Sequence, residues 1–163
     1  MAKNKEEKTN VMRVLEQKKI AYTAHTYPHE EGMAVDGVTV AKSMGFAPAI
    51  VFKTLVARGA SKQYYVFDVP VAENLDLKKA AKAVGEKSIE MIHQKELLPL
   101  TGYVHGGCSP VGMKKLFPTV FHSSAENLAA MIVSAGKIGY QVELAPHDLA
   151  ALVRAKFADI IVE

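Results

Sequence analysis

Apolar residues in this chain come in short blocks, and their period switches repeatedly between helical and extended. Thr9-Asn10 offers a helix cap, and Val11, Val14 and Leu15, with the stem of Lys18, form a stripe that predicts a first helix ending near Lys19. Ala21 to Tyr27 alternates and is rich in Tyr and Thr, which predicts a strand, and Pro28 to Gly32 reads as a loop. Asp36 is placed to cap a helix running through Met44, with Gly45 as its C′ residue. Beyond Pro48, residues 50 to 69 read as a hairpin: two extended runs about a Gly59-Ala60-Ser61 turn, closed by Pro70. Asp76 opens a helix with Leu77, Ala80, Ala81 and Val84 on one face, and Gly85 stops it. A short strand at Ile89–Met91 and a helical turn from His93 to Leu98 follow, the latter halted by Pro99 and Gly102. Thr119–Phe121, Ala130–Ser134 and Tyr140–Leu144 read as strands, the last two joined by the turn Ala135-Gly136-Lys137-Ile138-Gly139. Pro146 starts a final helix with Leu149, Leu152 and Val153 inward.

Interspersed helices and strands joined by short glycine turns predict an α+β fold with antiparallel pairing rather than a doubly wound parallel sheet. No repeat, low-complexity tract or linker interrupts the chain, so residues 1 to 163 are expected to form one domain. At this length a chain buries roughly 70% of its unfolded surface and needs no staple.

Composition narrows the classes of function. Hydrophobic residues make up 49% and charged residues 23%, as in an ordinary soluble protein. The net charge of +3 permits contact with a phosphate backbone but is far from the dense stripe of a dedicated nucleic-acid binder. Lys78-Lys79-Ala80-Ala81-Lys82 and Lys114-Lys115 are the local basic clusters, and each reads most simply as a solvated face or loop. The single cysteine, Cys108, excludes an internal disulfide and fits a reducing compartment. The polar start Met1 to Lys8 lacks the apolar core of a signal peptide, and no apolar run is long enough to cross a bilayer, so a cytoplasmic protein with no membrane contact is expected.

Lys53 stands inside the apolar run Ala49-Ile50-Val51-Phe52-Lys53-Thr54-Leu55-Val56-Ala57. Its ammonium must reach water, as a snorkelling strand-end lysine does, or meet an anion in a pocket. The loop Gly106-Gly107-Cys108-Ser109-Pro110-Val111-Gly112 lets backbone amides approach a ligand closely, though it could equally be a structural turn. It lacks the lysine–hydroxyl pair of a phosphate loop. Cys108 with His105 or His25 as base would be a nucleophile pair, but His105 lies three residues away in an extended segment. The six histidines show no metal spacing, so no metal or other cofactor is expected. Ser134, at a strand end, could bond a substrate amine or ester or be an ordinary terminal serine.

In order along the chain, the segments His25-Thr26-Tyr27, Val51-Phe52-Lys53-Thr54-Leu55, Leu75-Asp76-Leu77-Lys78-Lys79-Ala80, Thr101-Gly102-Tyr103, Gly106-Gly107-Cys108-Ser109-Pro110, Val133-Ser134-Ala135-Gly136-Lys137, Val142-Glu143-Leu144-Ala145 and Ala155-Lys156-Phe157-Ala158-Asp159-Ile160 resemble the YbaK-type aminoacyl-tRNA editing family. These are free-standing deacylases that clear cysteine mischarged onto proline tRNA. The resemblance implies a mixed, mostly antiparallel, barrel-like sheet surrounded by helices. It implies that Lys53, Gly106 and Ser134 are catalytic, and that Tyr27, Thr54, Gly107, Ser109 and Pro110 bind substrate. Two positions depart from some relatives: Gln141 stands where they have an aspartate, and Asp36 where they have an aromatic residue. Both bear on amino-acid selectivity.

The resemblance further implies substrate-assisted chemistry, in which the cysteine thiol of the substrate attacks its own ester. Amides near Gly106 would steady the carbonyl oxygen, Lys53 the terminal nucleotide, and Ser134 and Tyr27 the aminoacyl group. The implied partners are the tRNA acceptor end, bound weakly and with little selectivity, and prolyl-tRNA synthetase. Three alternatives stand beside this expectation. They are a deacylase for alanyl- or seryl-tRNA, a non-catalytic tRNA- or synthetase-binding module, and an enzyme using Lys53 as a Schiff base.

Overall fold

The computed structural model describes residues 8–163, so the polar start read above as no signal peptide lies almost wholly outside the described residues. The first helix, α1 (Asn10–Gln17), begins where Thr9 Oγ1 accepts from the Met12 amide, and it ends before Lys19, whose φ of 58° leaves the helical region. It sinks Val11 and Leu15 fully into the core, each such burial being worth roughly 1.5–3 kcal/mol. β1 (Thr23–Thr26) follows, then α2 (Gly37–Met44). Asp36 caps α2 by accepting from the Thr39 amide at 3.1 Å and its hydroxyl at 2.6 Å, and Gly45 closes it at φ 82°. A 3-10 turn at Pro48–Ile50 delivers the chain to β2 (Phe52–Gly59), which folds back as β3 (Tyr64–Pro70) in the expected hairpin.

The remaining elements are α3 (Leu77–Val84), β4 (Ile89–Met91), α4 (Gln94–Thr101), β5 (Thr119–His122), β6 (Met131–Ser134), β7 (Tyr140–Leu144), α5 (Pro146–Val153) and β8 (Lys156–Ala158). Helix α4 runs through Pro99 instead of stopping there. In so short a helix the ring removes a single bond, and Glu96 compensates at the start by accepting from the His93 amide at 2.9 Å.

The strands form two sheets, ordered β1-β7-β6 and β4-β2-β3-β5-β8. The α+β class and the mostly antiparallel pairing are as expected, but two pairings, β3 with β5 and β5 with β8, are parallel. The long connections that parallel pairing needs carry α3 and α4 between β3 and β5, and α5 between β5 and β8. The expected barrel is corrected: the sheets stay open. Among the described residues their backbones pair only at the parallel bridge between Val51 and Ile132, and β4 and β8 remain as three-residue edges.

Alternation along β2 divides the core. Val56 packs with Val66, Leu97, Phe117 and Cys108, whereas Ala57 packs under α3 with Ala80, Ala81, Phe67 and Ile160. A third cluster, with Phe52, Phe121, Val133, Val142 and α1, fills the space between the sheets. The two basic clusters are largely solvated, as expected, with one lysine of each tied to the fold. Lys79 Nζ pairs with Asp159 at 3.0 Å and donates to the Ile161 carbonyl, and Lys114 Nζ donates to the Pro99 carbonyl.

Candidate active site

A cavity of about 300 Å³ opens where the leading end of β2 meets the trailing end of β6. Lys53 and Thr54 form its floor, Ser134 and Gln141 one wall, α2 with Asp36 another, and the loop carrying His105, Gly106 and Cys108 its roof; Tyr27 also lines it. Residues some fifty and eighty positions apart meet because Val51 bridges to Ile132 immediately before β2 begins.

Lys53 is half-buried. Desolvation pulls its pKa below the ordinary lysine value, and the charge of Glu73 opposes this without cancelling it. An incoming anion would offset the cost of that desolvation by Coulomb attraction. Ser134 is 7% exposed, and its Oγ accepts from the Gly136 amide at 3.1 Å, which leaves its proton to donate into the cavity. Across the ladder from Ser134 stands Gln141, buried, with its Oε1 unpartnered among the described residues. Tyr27 is 5% exposed; burial raises its phenol pKa, and its amide donates to the Gly139 carbonyl at 3.0 Å.

The roof requires glycine for two separate reasons. Gly106 has φ 90°, and a Cβ on it would stand 2.7 Å from that of Ala34. Gly107 lies against the backbone of Lys137 and Ile138, where a Cβ would come within 3.1 Å of the Ile138 nitrogen. The Gly107 amide donates to the Val104 carbonyl at 3.0 Å, so it is not the donor for a ligand oxygen. Ser109 and Pro110 sit behind the roof, outside the cavity lining; Ser109 is wholly buried and its Oγ accepts from the Val111 amide. These three residues shape the loop. Of the expected substrate contacts, Tyr27 and Thr54 reach the cavity with Lys53, Gly106 and Ser134, whereas Gly107, Ser109 and Pro110 do not line it.

Cys108 lines the cavity, but burial first, and the nearby Asp68 second, push its thiol up to about 12. A thiol so seldom ionised near neutral pH is a poor nucleophile, and His25 is committed elsewhere, to Glu143 at 2.7 Å. Asp68 is the residue that sequence reasoning missed. It stands on β3 opposite Thr54, fully buried, and accepts from Thr54 Oγ1 at 2.5 Å. The available signal was an acidic residue inside the otherwise apolar and aromatic strand Tyr64–Pro70. No group of three or more histidine, cysteine or acidic side chains placed to hold a metal ion occurs among the described residues.

The cavity sets a desolvated lysine and the Asp36 carboxylate beside hydrogen-bonding side chains under a glycine roof, with room for a small polar ligand. The aminoacyl-tRNA editing domain family matches residues 29–152, and the chain belongs to that family. It is 46% identical over 161 residues to an Enterococcus faecalis protein provisionally named Cys-tRNA(Pro)/Cys-tRNA(Cys) deacylase EbsC, covering 98% of each. Among solved structures, one provisionally described as a trans-editing enzyme for prolyl tRNA synthetase superposes with a TM-score of 0.79 at 24% identity, over 94% of this chain and 95% of that one. The hypothetical protein APE2540 superposes at 0.82 with 18% identity, over 93% and 99%. Among the described residues no helix is long and apolar enough to cross a membrane.

Proposed function

We propose that this protein is an aminoacyl-tRNA deacylase that hydrolyses cysteinyl-tRNA(Pro), acting in trans on the tRNA acceptor end. The observation that carries this reading is the convergence of Lys53, Ser134, Tyr27 and Gly106 on one cavity large enough for little more than an aminoacyl group and its ribose. The kinship with EbsC supports cysteine as the amino acid removed.

The Cys108 thiol, held protonated by its burial, is not an activated nucleophile. The family resemblance supports the substrate's own thiol as the nucleophile. Its sulfur attacks the ester carbonyl, a C–S bond forms, the C–O bond to the ribose breaks, and the ribose oxygen leaves with a proton. Water later opens the cyclic thioester. Holding thiol and carbonyl together contributes up to about 7 kcal/mol of barrier lowering. The amide of Gly106 steadies the carbonyl oxygen, Lys53 receives the anionic end of the terminal nucleotide, and Ser134 and Tyr27 orient the aminoacyl group.

Selectivity follows from chemistry, because serine and alanine lack the thiol. The modest net charge of +3 supports weak tRNA binding with little preference among tRNAs, and prolyl-tRNA synthetase would supply the choice of tRNA in a transient complex. Gln141 and Asp36, both in the cavity lining, favour one competing reading, a deacylase for alanyl- or seryl-tRNA. The test is deacylation of cysteinyl-tRNA(Pro) beside alanyl- and seryl-tRNA by wild type and Lys53→Ala. Lys53-dependent loss of cysteine alone is expected. Loss of alanine or serine at the same rate would move the protein to the competing specificity, and no loss from any would leave a binding module.

A further inference from the structure

Strand β3 carries a carboxylate into the middle of the protein, and no cation among the described residues pairs with it. Asp68 is 0% exposed, its Oδ1 accepts from Thr54 Oγ1, and its Oδ2 has no partner among the described residues. Burial raises its pKa to about 7, and the one influence opposing that rise is the neutral hydroxyl of Thr54. A buried carboxylate is costly unless something positive approaches it. Thr54 stands between this charge and the cavity. Its single proton is spent on Asp68, so the side it turns to a ligand holds only lone pairs. A hydroxyl so polarised receives a cationic N–H donor better than a neutral or anionic one.

We propose that Asp68, acting through Thr54, positions the α-ammonium group of the aminoacyl ligand. The ammonium donates to Thr54 Oγ1, whose own proton is donated to Asp68 Oδ1, so the carboxylate meets its cation one hydroxyl away. Successive residues of a strand alternate sides, so Lys53 and Thr54 receive different parts of the ligand, the anionic nucleotide end and the cationic amino end. Asp68 is a positioning residue, because Thr54 makes the contact. The inference rests on the aminoacyl-ligand reading above.

The test uses two unreactive ligands, 3′-cysteinylamino-3′-deoxyadenosine and its counterpart acylated with 3-mercaptopropionate, which lacks only the amine. Calorimetric binding to the wild type should favour the amine-bearing compound by about tenfold, the worth of one charge-assisted bond. Asp68→Asn and Thr54→Val should each bring that ratio close to one, while Thr54→Ser retains it. A structural defect would weaken both ligands together and leave the ratio alone. An unchanged ratio in Asp68→Asn overturns the proposal, and should that variant not fold, an unchanged ratio in Thr54→Val does so. Equal binding of both ligands by the wild type removes the proposal alone. Binding of neither removes the aminoacyl-ligand reading and the proposal with it.

Discussion

The two long walls of the cavity are built on different principles. The first, the floor laid by β2 with Asp68 of β3 behind Thr54 and outside the lining, buries ionisable groups, Lys53 with a lowered pKa and Asp68 with a raised one, in each case chiefly through desolvation. The wall on β6 and β7 buries neutral ones: Ser134 and Gln141 face each other across the ladder, and the hydrogen bond between His25 and Glu143 stands outside the cavity lining. Charges held in low dielectric act strongly and at a distance, whereas neutral donors act only where geometry is met. The first wall therefore suits the charged ends of a ligand and the second suits its orientation.

The difference is sharpest in Lys53→Ala, which should lower single-turnover deacylation on the order of 10²-fold or more, as loss of a dominant electrostatic contact does. A loss of less than about tenfold would mean that the ionisable wall is not the stronger one. The next effect concerns stability. Because the folded-state pKa of Asp68 lies above the ordinary carboxylate value of 3.8, its contribution is fully present below that value and is lost as pH rises through about 7. Denaturant titrations of wild type and Asp68→Asn at pH 5 and pH 8 should show the wild type losing ground to the variant by an amount on the order of 3 kcal/mol. Parallel changes in the two proteins would show that Asp68 does not titrate in this window.

On the neutral wall, Ser134→Ala should slow deacylation roughly tenfold and cost about 1 kcal/mol of stability, since the Gly136 amide loses its acceptor. An effect as large as that of Lys53→Ala would erase the distinction between the walls. The smallest effect is expected from Cys108→Ala. Deacylation should stay within about twofold, and a modest fall in melting temperature should report the lost packing against Val56, Leu97 and Phe117. Loss of turnover there would restore the cysteine to the chemistry.

Local signals were legible because they are properties of neighbouring residues. The caps at Thr9, Asp36 and Asp76, the left-handed glycines at 45 and 85, and the β2–β3 hairpin appear where the sequence placed them. The parallel partners of β5 were not legible, since β8 has three residues and offers no alternation to read, and nothing local announces a crossover. Lys53 stood out as a charge among apolar neighbours, and the resemblance gave Ser134, Tyr27 and Gly106. Asp68 carried a similar mark in Phe67-Asp68-Val69, but its meaning depends on a cross-strand partner fourteen residues earlier, which only the hairpin register supplies. Gly107, Ser109 and Pro110 match a motif, yet a motif does not say which of its members face inward.

The Val51–Ile132 bridge has a consequence for how such a pocket can diversify. With the two walls on separate ladders, a change of side chain in β6 and β7 need not disturb the pairing that seats Lys53. Inheritance can thus vary the half that orients the amino acid while conserving the half that receives charge, as a tool keeps its handle through many changes of blade.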